Sequence, residues 1–266
     1  MKPAATRLEW DQAVPAFERP FFAAVRPLLF ELDTARWPDL EQLNALAASR
    51  GLLNAWGVPV RFVAPSAESA SAMGYEIQIG ETGEIPTRDN WHDLFNALQW
   101  LALPQAKAAI NRGHVERLKL GGTAEATARS APRDVLTMFD ESGIIVASAD
   151  ESLLDLVRAF RWRELFVERR HAVLSEMRFV LAGHGLMEKS LAPFIGITAK
   201  AMLLPVATGA SLDAAAAAWL RSDDNLADSR RLAPLPLLGI PGWDARNEDS
   251  RFYDNAAYFR PGRRGG

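Results

Sequence analysis

Residues 88–101, RDNWHDLFNALQWL, constrain the fold more than any other stretch of the chain. With a helical advance of about 100° per residue, Trp91, Leu94, Phe95, Leu98 and Leu101 fall on one side. His92, Asn96 and Gln99 fall on another, with Asp89 and Asp93 beside them. Trp100 lies nearly opposite the apolar face, so the helix is expected to be buried on two sides. Its polar groups then lose water and need partners from elsewhere in the chain. Asp89 or Thr87 is expected to cap its N-terminus.

Around this helix the pattern is mixed. The first 55 residues read as helical, broken into short pieces by Pro15, Pro20 and Pro27. PVRFVAP at 59–65 reads as a strand, and YEIQIGETG at 75–83 as a second, since Tyr75, Ile77 and Ile79 alternate. Helices are expected over 89–102 and 104–112, with Gly113 ending the latter. GGTAEATARSAP at 121–132 reads as a mobile connector. In DVLTMFDESGIIVAS the alternation of Val135, Thr137 and Phe139 predicts a β-hairpin, turning at 140–143 with Gly143 at positive φ. Helices follow within 150–175, then a strand at 177–182 that leads through glycine into a helix. Another strand is expected at 199–207 and a helix capped by Ser211. Residues 233–266, rich in Pro, Gly and aromatics, read as an irregular wrap over the core. Together these predict one α+β domain, 1–266, with a mixed, partly antiparallel sheet and flanking helices.

Composition narrows the function classes. A net charge of −3 supplies no field that would draw the chain to nucleic acid or anionic lipid, despite Arg-rich stretches at 158–170 and 260–264. The absence of cysteine excludes disulfides, thiolate metal sites and a cysteine nucleophile. The first residues lack the apolar core of a signal peptide, and no run reaches membrane-spanning length, so a soluble cytoplasmic protein is expected. There is no phosphate-binding P-loop, dinucleotide glycine fingerprint, GxSxG elbow or HExxH pair.

Four histidines remain to carry chemistry. His92 is a candidate general base or metal ligand oriented by a nearby carboxylate, Asp93 or Asp89, with Asn96 alongside; equally it locks the helix to the sheet by a hydrogen bond. In GHGLMEK at 183–189, glycines flank His184, and Glu188 stands four residues on, on the same helix face. That pair suits proton transfer or metal binding, or a simple glycine-rich cap. His114 is expected to complement a helix C-terminus, and joins a metal site with His92 and His184 only if the three converge. His171 reads as solvated. Arg88 and Arg133 are candidate anion-binding groups and Trp243 a pocket wall. Asp140 and Glu141 read as turn formers.

Four blocks carry a family resemblance: PTRDNWHDLFNALQWLALPQAKAAINRGH, RDVLTMFDESGIIVAS, GHGLMEKSLAPFIGITAKA and PLPLLGIPGWDARN with its FYDN and YFRP continuation. In this order they resemble the bacterial family called domain of unknown function 3025. The resemblance implies a recurring unit over about residues 59 to 261 and brings no established catalytic role. From the residues, the leading expectation is a hydrolase or transferase acting on a small anionic substrate through a His/carboxylate site, which either moves protons itself or holds a divalent metal ion as cofactor. The alternative is a non-catalytic binding or scaffold protein whose histidines are structural.

Overall fold

The computed structural model describes residues 8–32, 35–65, 72–120 and 131–262. The N-terminal region is a series of short helical pieces: α1 (Trp10–Ala13), two 3-10 turns, α2 (Arg26–Glu31) and α3 (Leu40–Ser49). Prolines stand in the first turn of three of these pieces, where a missing N–H costs nothing. Asp39 and Gln42 cap α3 reciprocally, each side chain accepting from the other's backbone amide.

A small parallel pair follows, β1 (Arg61–Val63) and β2 (Glu84–Pro86). Residues 75–83 do not form the expected strand; they belong mostly to α4 (Ala72–Thr82). Parallel neighbours cannot be joined by a hairpin, so the chain between them must cross over, and α4 is that crossover. Tyr75 and Ile79, four residues apart, serve a helix as well as a strand.

The main sheet runs β4–β3–β5–β6, with β3 (Gly143–Ser148), β4 (Met177–Leu181), β5 (Thr198–Pro205) and β6 (Ala233–Pro236). β3 pairs parallel to β5 and antiparallel to β4, and β5 antiparallel to β6. Every residue of β3 is buried. Ile144 and Val146 face a core shared with the N-terminal helices, α5 (Trp91–Ala102) and α8 (Glu151–Arg158). Ile145 and Ala147 face a second core with α6 (Pro104–Leu120), α7 (Ala131–Ser142) and α11 (Leu212–Leu220). The sheet is therefore a middle layer, which explains its run of continuous apolar residues. α9 (Arg170–Glu176) precedes β4 and α10 (His184–Lys189) follows it. Ser211 caps α11 as expected, and α12 (Asp223–Leu226) is the last α-helix among the described residues.

Two further expectations are corrected. Residues 131–142 form α7, not a hairpin arm: Val135, Leu136 and Phe139 are buried and Thr137 is exposed, a helical face rather than an alternation. Gly143 is not at positive φ. A Cβ there would lie 2.3 Å from Phe139 O, so glycine lets the chain leave α7 and enter β3 abruptly. Helix α6 also runs past Gly113, whose hypothetical Cβ would come 2.7 Å from Leu136 Cδ1. That glycine serves close α6–α7 packing, and His114 is buried inside the helix rather than completing its end. The connector at 121–132 falls outside the described residues except for its last two, which begin α7.

The C-terminal segment is a wrap of 3-10 turns after β6. It is stitched down by buried polar groups. Tyr258 OH donates to Ile197 O and accepts from Leu238 N; Tyr253 OH donates to Gly239 O; Asn247 Nδ2 donates to Leu238 O and Ile240 O. No described helix is long and apolar enough to cross a membrane.

Candidate metal centre

Helix α5 is buried on both sides, as its sequence demands: every residue from Trp91 to Leu101 except His92 is buried. Its N-cap is Asn90, whose side chain accepts from Asp93 N, rather than Asp89 or Thr87. Gln99 Nε2 donates to Leu181 O and so fixes α5 to the end of β4. His92, seven residues earlier, is carried to the edge of the protein just beyond that strand end.

From β4 the chain turns into α10. Ala182 N and Gly183 N both donate to Gly143 O, pinning the turn to the α7–β3 junction. A Cβ on Gly183 would lie 2.5 Å from the amides of Ser142 and Gly143, and one on Gly185 would lie 2.2 Å from Glu141 Oε2. The two glycines flanking His184 therefore let α10 press onto the last turn of α7. Three segments meet: α5 brings His92, α7 brings Asp140 and Glu141, and α10 brings His184 and Glu188.

The two imidazoles point at each other, Nε2 to Nε2 at 3.0 Å. Glu141 Oε1 lies 3.7 Å from the first and 3.6 Å from the second. On the far sides of the rings, Glu188 Oε2 is 3.3 Å from His92 Nδ1 and Asp140 Oδ2 is 3.6 Å from His184 Nδ1. Behind these, Lys107 Nζ donates to Asp140 Oδ1 at 2.5 Å and to Asn96 Oδ1 at 2.7 Å, and Asn96 Nδ2 donates to Tyr75 OH at 2.8 Å.

Charge follows burial here. Burial pushes His184 down to about 4, so its ring is neutral near pH 7. The bond to Glu188 raises His92. Burial raises Glu141. Burial would also raise Asp140, but Lys107 and His184 beside it hold the carboxyl below its ordinary value. A neutral His184 has an ionised carboxylate behind it at 3.6 Å, too far for a hydrogen bond, so its buried Nδ1 has no hydrogen-bond partner among the described residues.

His92, Glu141 and His184 each present one donor atom, all within 4.8 Å of one another. Donors held about 2.0–2.2 Å from a tetrahedral ion stand roughly 3.3–3.5 Å apart. The three separations straddle that value. Glu141 remains partly exposed, leaving the centre a face open to solvent.

His92, His184 and Glu188 come together. His114 does not join the three donors; it is buried on α6. Asp93 accepts from the backbone N and the guanidinium of Arg88, so the two close the loop before α5. Asn96 stands one layer back, on Lys107. Arg133 is in the first turn of α7, eight residues and about 12 Å of helix rise from Glu141. Trp243 packs on Phe21 and Phe179.

Asp140, Glu141 and Lys107 are the residues that sequence reasoning passed over. A signal existed. Read as a helix, 131–142 places two acids in its last turn, where the macrodipole repels them, and that anomaly calls for a cation.

A family model described as "Protein of unknown function (DUF3025)" matches residues 60–263, well over half of the chain. The chain belongs to this family. All five residues of the centre lie within the matched span. No curated protein and no solved structure matches the chain.

Proposed function

We propose that the chain is a divalent-metal-dependent enzyme of hydrolase or transferase type, with His92, His184 and Glu141 as ligands. One observation carries the reading: two Nε2 atoms and a carboxylate oxygen converge at 3.0–3.7 Å while a second carboxylate stands behind each imidazole. Two histidines, one carboxylate and an open face suit zinc, manganese or iron(II). Such an ion, when bound, polarises a substrate oxygen or lowers the pKa of a bound water toward neutrality. Glu188 holds the His92 ring, and Asp140 would come within reach of His184 Nδ1 by a shift of a few tenths of an ångström, leaving both Nε2 lone pairs for the ion. The charge of Lys189, felt at Glu141, favours an anionic group on a small substrate at the open face.

A second reading has its own support. The direct Nε2–Nε2 contact can share one proton and simply lock α5 to α10. Elemental analysis of purified protein and thermal unfolding with added zinc, manganese or iron(II) separate the two. Under the metal reading, an ion in hundredfold excess over its dissociation constant contributes about 2.7 kcal/mol. That raises the unfolding midpoint by roughly 5–10 °C for a chain of this size. The shift is expected to vanish in His92→Ala, His184→Ala and Glu141→Gln. A wild-type protein that carries no ion and shows no shift with any of the three would leave the structural reading in place.

A further inference from the structure

A second site lies at the opposite edge of the sheet and shares no residue with the His92–His184 centre. It is a cleft of about 1020 Å³ bounded by β6, the end of α8 and the C-terminal wrap. Arg158, Lys200, Arg230, Arg231 and Arg260 all line it, and no Asp or Glu does. That is an unusual concentration of one sign on a chain of net charge −3. The residues come from four separate segments, so the fold gathers them. Arg158 is paired with Asp155 and Arg230 with Asp228. Lys200, Arg231 and Arg260 form no ion pair among the described residues, and Lys200 is half-buried on β5.

The walls are aromatic. Phe160 adopts φ 57°, the left-handed region that side chains avoid, at the residue after the α8 C-cap. Its ring is held between Trp162, at 5.6 Å, and the backbone of Gly262, where a Cβ would lie 2.5 Å from it. The conformation closes α8 in a Schellman turn, with Phe160 N donating to Val157 O and Arg161 N to Leu156 O. Trp219, partly exposed, adds a second flat surface to the lining.

The edge strand argues against a peptide. Leu237 N donates to Ile197 O, so the odd-numbered amides of β6 face β5. The outward positions then fall on Pro234 and Pro236, which have no N–H to offer an added strand. Unpaired cations, flat side chains and a cleft in the size range of small-molecule sites remain.

We propose that this cleft binds a small phosphorylated ligand bearing a flat ring, of the nucleotide class. Phosphate oxygens would meet Lys200, Arg231 and Arg260, and the ring would lie against Phe160 or Trp219. The test is calorimetric titration of the full chain with ATP, adenosine and pyrophosphate, and with a short single-stranded oligonucleotide. ATP binding that weakens with salt is expected, with adenosine bound less tightly. Lys200→Gln/Arg231→Gln should lower ATP affinity by roughly tenfold or more. Arg231→Gln/Arg260→Gln, both at exposed positions, should do the same without touching the sheet. His184→Ala should leave it unchanged. No ATP binding up to about 1 mM, or an affinity indifferent to both double variants, overturns the proposal. So does an oligonucleotide that binds more than about tenfold tighter than ATP, which would assign the cleft to a nucleic-acid strand.

Discussion

Lys107 shows how much rests on one side chain. It is 5% exposed and joins Asp140 to Asn96, with its ammonium 5.8 Å from the centre of the Trp100 ring. A buried pair is weak grounds for stability in itself, but removing one partner leaves the other charged and unsolvated. Lys107→Met is expected to cost about 3–5 kcal/mol in urea unfolding. Lys107→Met/Asp140→Leu should recover much of that loss, because no orphan charge remains. If the single variant is as stable as wild type, Asp140 is not left as an unsolvated charge and the pair carries none of the expected cost. Only half of this arrangement was legible beforehand. The helix carrying Lys107 was expected, but its ammonium meets a carboxylate 33 residues away, and no local pattern encodes that.

At the scale of elements, the centre depends on how closely α10 approaches α7. Gly183 and Gly185 both permit that approach, for different reasons. A methyl at 183 would collide with the Ser142 and Gly143 amides, which belong to the sheet junction and cannot yield. A methyl at 185 would collide with the carboxylate tip of Glu141, which can swing toward solvent. Gly183→Ala is therefore expected to destabilise by about 3 kcal/mol. Gly185→Ala should cost about 1 kcal/mol or less but lower divalent-ion affinity by roughly ten- to a hundredfold. Comparing unfolding midpoints with ion titrations separates the two effects. Equal effects of both substitutions on stability and ion binding would count against Glu141 as a ligand. The GHG motif was readable as strand, turn and helix. That its glycines accommodate α7 was not, because 134–142 also fits an alternating pattern.

Over the whole molecule, the C-terminal wrap closes the core through tyrosines. Burial raises both Tyr253 and Tyr258, the former to about 12. A phenol whose pKa is raised on folding contributes stability in full below its unfolded value, about 10, and loses it as pH climbs to the folded value. Stability should therefore fall between about pH 10 and 12. In Tyr253→Phe that slope should flatten. Tyr258→Phe should flatten it too and cost about 1–3 kcal/mol at neutral pH, since Leu238 N and Ile197 O lose their shared partner. Unfolding midpoints measured across the alkaline range give the slope directly; an unchanged slope in both variants would mean that other groups govern the alkaline limit.

Local chemistry alone determined much of this protein: the two-sided burial of α5, the strand–glycine–helix passage at 177–189, the capped α11 and an aromatic segment that could not stay in water. Periodicity and caps act within a few residues, so one stretch of sequence suffices to read them. Tertiary structure decided the rest. It made 75–82 a crossover helix because β1 and β2 run parallel, and it made 131–142 a helix because Leu136 as well as Val135 and Phe139 has a core to face. In doing so it set Asp140 and Glu141 beside two imidazoles from distant segments. A short apolar run satisfies both the helical and the extended period, and only contacts made across the fold choose between them.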